Sequence, residues 1–580
     1  MRRFIVTAVL AFVILAMLAP PGFAQAPAPK VTISGLFDQV TAMGRNQYDG
    51  NFTRNSDREW YARTRFRPDL EFAVGRVKAV LGLEIDLSYG QMGVNDAGFP
   101  NNNTGTTSGC KANTNGCLDL NTDVGGMIET KWIYTEFPLT GKDSLLPFIP
   151  VETMARAGGQ PFDTLAQYKL AQYANGDFAG VSAITTFAPN LKTNLAYVIV
   201  EDQLGGANRG LPAAKTGRGE DYAVIFSTDI TPFKGLDLKP LYSWFHADGL
   251  TSATARRNLV NRGTAPSPTI GNVLNGPGAY SGAGQVLGGP GDPSSHEDRH
   301  TVGADARWRM GPFGLDPTFY YQWGRIDRQA IVTGPGANGV GTKRETADMS
   351  AFLFDVIASY QLGPLLLEAR GMYSPGNKAR DNLAKGIRYY QPLDTDGNYY
   401  AGDWTMFWAS WSSVDYFSQG FSSMGNYVGY DRYGAMRGTL RATYSITPAL
   451  SAMFLVGPTF TAEKVDTDTN SQAGSASGSG NFLNIGTPVR TTVSQDSWVS
   501  GDSRYLGTEL NALLTWRFAP NTAFTVGGGY LFAGSALNTA ECRPTTGGVA
   551  TVNAPVCAGQ VVKRDAQDAY TLGARVRLAF

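Results

Sequence analysis

Along the last eleven residues of the chain, Tyr570, Leu572, Ala574, Val576, Leu578 and Phe580 alternate with Thr571, Gly573, Arg575, Arg577 and Ala579. A period of two marks an extended strand with unlike faces. The same pattern fills 58–72, where Trp60, Ala62, Thr64, Phe66, Leu70 and Phe72 take one side and Tyr61, Arg63, Arg65, Arg67, Asp69 and Glu71 the other. In 76–90, Val77, Ala79, Leu81, Leu83, Ile85, Leu87 and Tyr89 oppose Lys78, Glu84, Asp86 and Ser88, with only Ala73-Val74-Gly75 between the two runs. Near the end, Leu506, Leu510, Leu514, Trp516 and Phe518 oppose Glu509, Asn511 and Arg517. In a soluble sheet each apolar side would need a second layer to cover it. In a transmembrane barrel it meets lipid, and the charged side meets the water of the lumen.

Segments of this kind predict strands near 31–43, 58–72, 76–90, 127–137, 151–162, 178–188, 191–202, 221–230, 236–247, 299–310, 315–326, 347–361, 365–374, 432–446, 450–461, 504–518, 522–533 and 568–580. The gaps between them alternate long and short, which describes antiparallel hairpins with loops on one side and turns on the other. Short gaps carry turn chemistry, as in Ala188-Pro189-Asn190, Gly363-Pro364 and Thr447-Pro448. The fold class expected is all-β: an antiparallel up-and-down transmembrane barrel with long extracellular loops, short periplasmic turns and about eighteen strands. Sixteen strands is the alternative if the intermediate gap 138–150 is misread.

Arg2 and Arg3, an apolar run from Phe4 to Leu18 and the small residues before position 25 read as a secretory signal peptide cut after Ala24. Beyond it no apolar stretch of about 18 residues occurs, so no helical anchor is expected. Residues 25–580 are then expected to form one barrel domain, although length alone would suggest several soluble ones. The first strand starts seven residues after Ala24, which leaves no room for a plug domain of an energy-coupled receptor. Composition agrees with a β protein, with 69 Gly and 11% aromatic residues. With 49 acidic and 49 basic residues there is no polycation, and a nucleic-acid partner is not expected.

Val31-Thr32-Ile33-Ser34-Gly35-Leu36-Phe37-Asp38 resembles the first strand of Gram-negative general porins. The terminal strand, with Tyr570, Leu572, Val576, Leu578 and Phe580, resembles the signal read by the barrel-assembly machinery. Tyr505-Leu506-Gly507-Thr508-Glu509-Leu510, followed by Gly527-Gly528-Gly529-Tyr530-Leu531-Phe532-Ala533-Gly534, is similar to the closing hairpins of alginate-export barrels. That resemblance implies an outer-membrane barrel, and for the alginate-export type an arginine-rich lumen passing an anionic polymer.

The candidate chemistry is basic. Arg outnumbers Lys 34 to 15, and Arg63, Arg65 and Arg67 share one strand face, Arg307 and Arg309 a second, Arg437 and Arg441 a third, Arg575 and Arg577 a fourth. With Arg156, Lys78, Glu84 and Asp86 these are the expected pore-lining residues. Two readings stay open: a cationic stripe that eases anion passage, or arginines paired with wall acids such as Glu71, Glu84, Asp86, Glu129, Asp305, Glu368 and Glu509.

By resemblance to general porins, the loop 163–177, bracketed by Asp163 and Asp177, is a candidate constriction, with an external loop as its alternative. The loop 375–431 carries Tyr389, Tyr390, Tyr399, Tyr400, Trp404, Phe407, Trp408 and Trp411. These are expected chiefly to pack the loop on itself or to girdle the rim, with stacking on sugar rings as the alternative. Cys110 with Cys117 and Cys542 with Cys557 read as loop disulfides. Asp394-Thr395-Asp396-Gly397-Asn398 lacks the later Glu of a calcium loop, and His246, His296 and His300 fit no hydrolase pattern. No metal, cofactor or enzymatic activity is expected.

These readings converge on a passive outer-membrane porin for small hydrophilic, chiefly anionic, solutes. Its expected partners are outer-membrane lipid and the barrel-assembly machinery, and monomer and homo-trimer both stay open. The alternatives are an exporter of an anionic polysaccharide and a barrel sheath around an electron-transfer complex.

Overall fold

A computed structural model describes residues 28–46, 58–89, 128–161, 173–174, 177–204, 218–248, 286–287, 296–333, 340–378, 386–391, 393, 404–407, 433–465, 501, 503–543 and 560–580. Eighteen long strands form the wall. They are β1 Lys30–Arg45, β2 Arg58–Val74, β3 Val77–Tyr89, β4 Ile128–Thr140, β5 Glu152–Pro161, β6 Asp177–Ala188, β7 Leu191–Leu204, β8 Arg218–Phe233 and β9 Leu236–Asp248. The circuit continues with β10 His296–Met310, β11 Phe313–Thr333, β12 Val340–Leu362, β13 Leu365–Ser374, β14 Ala435–Thr447, β15 Leu450–Val465, β16 Ser503–Ala519, β17 Thr522–Ala533 and β18 Ala569–Ala579.

Each strand pairs antiparallel with the next, and β1 pairs with β18, so the sheet closes and leaves no edge. At the seam Gly35 and Phe580 exchange both backbone hydrogen bonds, at 2.9 and 3.0 Å. The Phe580 ring stacks on Phe66 with centroids 6.0 Å apart. The expected eighteen strands are therefore all present.

The segment 138–150 is a nested turn. Leu145 and Leu146 donate back to the carbonyls of Pro138 and Leu139, and Gly141 donates to Ile149. It thus joins β4 to β5 without adding a strand. The other short turns use residues that accept the left-handed region, such as Gly363 at φ 56° and Asn521 at φ 53°.

Two strands are longer than the alternation suggested, β11 at 21 residues and β12 at 23. A crossing takes about 9–11 residues. Their outer ends pair from Asp327↔Thr346 to Thr333↔Val340. There Arg328, Gln329, Lys343, Arg344 and Glu345 break the apolar period, while main-chain pairing continues regardless of side-chain polarity.

The outer face is apolar. Trp60, Phe148, Phe187, Phe226, Leu440 and Phe454 are all exposed, while Ile225 and Ser227 beside Phe226, Thr439 beside Leu440 and Leu455 beside Phe454 turn inward and are buried. Such a closed wall with an apolar coat is what lipid requires, because every backbone group is paired within the sheet.

Candidate functional site: the lumen

The inner face carries the charges the alternation assigned to it, and it also carries their partners. Glu84 of β3 takes Arg65 at 2.5 Å, Arg67 at 2.6 Å and Lys131 at 3.3 Å. Glu136 of β4 takes Arg156 at 2.5 Å and Lys78 at 3.3 Å, and Lys78 also reaches Glu71 at 3.3 Å. These contacts form two clusters, one around Glu84 from β2 to β4 and one that runs Glu71–Lys78–Glu136–Arg156 from β2 to β5. Elsewhere Arg307 bonds Asp237 at 2.7 Å, Arg441 bonds Glu368 at 2.6 Å, and Arg309 pairs with Asp316, Arg437 with Glu509 and Arg577 with Asp38. Arg575 lies on the inner face opposite Val40 and Thr525. Arg63 and Asp86 stand in β2 and β3, but their side chains lie outside the described residues, as does that of Asp177; Asp163, Cys110, Cys117 and Cys557 lie outside them altogether. Cys542 stands in a short hairpin, Thr539–Arg543 with Gln560–Arg564, beyond the wall.

The register explains most of these pairs. Asp38↔Arg577, Glu136↔Arg156, Asp237↔Arg307 and Glu368↔Arg441 are direct cross-strand neighbours on the inner face. Asp305, which the sequence offers as an arginine partner, accepts from Thr318 at 2.7 Å and Tyr320 at 2.5 Å.

Described residues of two loops lie against the inner face of the wall. Tyr173, from the loop before β6, is fully buried and donates its hydroxyl to Ser243 on the inner face of β9 at 2.6 Å. Its carbonyl accepts from Leu393 at 2.8 Å, which joins it to the loop between β13 and β14. On that second loop Gln391 takes Arg299 of β10 at 2.7 Å, and its backbone N–H and C=O both bond the Gln322 amide of β11, at 2.8 and 2.7 Å. Tyr390 stacks on Tyr320, and the Tyr173 ring packs against Tyr320 at a tilt of 45°. Burial pushes the hydroxyls of Tyr173 and Tyr390 upward from their ordinary range, so both stay protonated donors at neutral pH.

The same loop is held on the far side by Glu509. This fully buried carboxylate accepts from the backbone of Met406 at 3.0 Å, from Thr405 at 3.2 Å, from Asn511 at 3.0 Å and from Arg437. Trp404 lies between cations, 3.9 Å from Arg441 and 5.7 Å from Arg370. Tyr389, Tyr390, Trp404 and Phe407 are all buried; beyond the packing expected of the loop, Tyr390 meets the inner wall at Tyr320, Trp404 at Arg441 and Phe407 at Gly529. The rim's outer aromatic cluster comes from strand residues, including Trp323 stacked on His300 at 5.3 Å and Tyr222 beside His246 at 5.3 Å.

The loops divide the lumen. On β10 Arg299 is buried and Arg309, at the short-turn end, is open; on β2 Arg65 is buried and Glu71 open; on β14 Arg437 is buried and Arg441 less so. Three separate walls thus show one gradient, from a filled half at the loop side to a vestibule at the turn side. Among the described residues no group of His, Cys, Asp and Glu is arranged to hold a metal ion.

No protein-family model and no curated protein sequence matches the chain. Among solved structures it is similar to Pseudomonas aeruginosa OccK5 (OpdH), with 10% identity, a TM-score of 0.41 and coverage of 95% of this chain and 98% of that one. Pseudomonas aeruginosa OccK8 (OprE) gives 11%, 0.43, 95% and 98%, and Acinetobacter baumannii OccAB4 gives 9%, 0.44, 96% and 99%. Identities near a tenth leave every residue role to be argued from this chain alone. Its closed eighteen-strand wall and apolar coat are those of an outer-membrane, porin-like barrel.

Proposed function

We propose that the chain is a passive channel of a Gram-negative outer membrane that passes small hydrophilic solutes and favours anions. The observation that carries this reading is an asymmetry within the ion pairs. At Arg577–Asp38 the arginine side chain is 38% exposed and the acid 0%; at Arg67–Glu84 the values are 27% and 5%, and at Arg309–Asp316 they are 46% and 21%. The Arg156, Arg307 and Arg441 pairs lean the same way. The acids lie against the wall and the guanidiniums form the surface that a solute meets. Pairing therefore holds the arginines in place without hiding their charge. Lys239 with Asp229 is the strongest reverse case, a buried cation under an exposed acid, and Lys78 with Glu71 and Arg76 with Glu152 lean the same way; they set a local limit to the trend.

On this reading residues 1–24 are removed on export, 25–580 form one barrel domain, and the Phe580 strand is what the barrel-assembly machinery reads. The two inward loops narrow the outer half and set the size limit. The experiment is swelling of liposomes holding the purified protein. Small sugars and small carboxylates should enter, carboxylates faster at low salt, and large oligosaccharides should not. Entry of a long anionic polysaccharide would favour an exporter, and no entry of any solute would contradict the channel.

A further inference from the structure

Among Gly527, Gly528 and Gly529 of β17, the third lacks a side chain for a reason the strand itself does not supply. A Cβ on Gly527 or Gly528 would meet a backbone carbonyl of a neighbouring strand, that of Ala512 or Thr571. Gly529 pairs regularly with Asn511 of β16 and Thr571 of β18, and its φ lies outside the left-handed region, so its backbone suits any residue. What is missing is room. A Cβ there would collide with Oδ1 of Asn511 and would stand 2.9 Å from Sδ of Met406 and 3.0 Å from Cε2 of Phe407.

Met406 and Phe407 belong to the loop between β13 and β14, are buried, and lie on the inner wall where Gly529 leaves it bare. A side chain at this position would force something to move. Asn511 donates to Glu509 at 3.0 Å, and the Met406 backbone donates to the same carboxylate at 3.0 Å, so both are tethered by charge-assisted bonds. The groups that can give way are the side chains of Met406 and Phe407, and away from the wall they enter the lumen.

We propose, resting on the channel reading above, that Gly529 is a specificity-determining position: its bare surface lets Met406 and Phe407 lie close to the wall and so sets how far the loop stands out into the passage. Glu509 and Gly529 then act in opposite senses. Loss of the carboxylate frees the loop and widens the passage, whereas a side chain at 529 leaves the loop tethered and narrows it.

The test compares Gly529→Ala and Gly529→Val with wild type and with Gly371→Ala. Gly371 shares the lipid-facing side of β13 with Leu367 and Tyr373, and a Cβ there would come no nearer than 3.8 Å to Val356. Single-channel conductance and the largest sugar that enters liposomes should both fall with Gly529→Ala, fall further with Gly529→Val, and stay at wild type with Gly371→Ala. In the same proteins hydrogen peroxide should convert Met406 to its sulfoxide severalfold faster in Gly529→Val than in wild type, read by peptide mass, because the thioether now faces water. Conductance unchanged or raised in folded, heat-modifiable Gly529 variants, or Met406 oxidised at the wild-type rate, would overturn the proposal. Loss of the folded barrel in Gly529→Ala would overturn it too, by showing that the glycine serves the wall and not the passage. A wild type that conducts nothing would overturn the channel reading, which separates that failure from a conducting wild type with unaltered variants.

Discussion

In the outer half of the lumen Arg437 and Glu509 meet beneath packed loops, both side chains almost wholly buried, whereas in the inner half Arg309 and Asp316 meet in the open vestibule. The chemistry of the two pairs is the same and their consequences differ. A buried pair is costly to desolvate, and removing one member strands the other, with a loss of about 3–5 kcal/mol. Glu509 offsets its burial by accepting from four groups, two of them in the loop, so this pair is a clamp. An exposed pair contributes about 0–1 kcal/mol to stability. What Arg309 supplies is charge at the water surface, and the difference between the two sites is a difference of burial.

Both halves presuppose a closed cylinder, so the largest effect is expected from deleting Phe580, which removes both seam hydrogen bonds to Gly35 and the ring against Phe66. Folded, heat-modifiable protein in the outer membrane should fall severalfold; unchanged levels would refute the role given to the terminal residue.

Next in size is Glu509→Ala. It should release the loop at Trp404–Phe407 and lower stability by about 3–5 kcal/mol, with a rise in single-channel conductance. A conductance equal to wild type would mean that the loop does not limit flow.

Tyr173→Phe removes one buried hydroxyl while keeping the ring contact with Tyr320. The expected cost is about 1 kcal/mol, read as faster open-state flicker with nearly the same mean conductance. Flicker indistinguishable from wild type would show that the Ser243 bond does not hold this loop.

The smallest stability effect belongs to Arg309→Gln, within about 1 kcal/mol of wild type, accompanied by a measurable loss of anion preference. A large loss of stability there would erase the contrast between the two halves.

The alternation was enough to place all eighteen strands, because lipid imposes the period of two on every crossing. The extensions of β11 and β12 escaped it, since above the membrane nothing selects apolar residues. Within the site, the inward direction of the arginines was legible and three of their partners, Glu84, Glu368 and Glu509, were among the acids the sequence offered. Asp38, Asp237, Asp316 and Glu136 were missed. Three of these are set by register; only Glu136 faces its arginine across a connection short enough to count, while Asp237 meets Arg307 across a long loop and Asp38 meets Arg577 at the closing seam. The inward course of the aromatic loop was not legible. Trp404 and Tyr390 would look the same in sequence at a rim, and what draws them inward is a distant carboxylate, Glu509, and a distant amide, Gln322.

The most direct test of the account is the reversal potential of the reconstituted channel under a salt gradient. Wild type should favour anions, and the preference should shrink as salt rises and the Debye length falls below about 8 Å. Replacing the open guanidiniums together, Arg67→Gln, Arg309→Gln and Arg577→Gln, should remove most of that preference. A cation-favouring wild type, or a triple variant with an unaltered reversal potential, would contradict the claim that paired arginines still govern what the lumen admits.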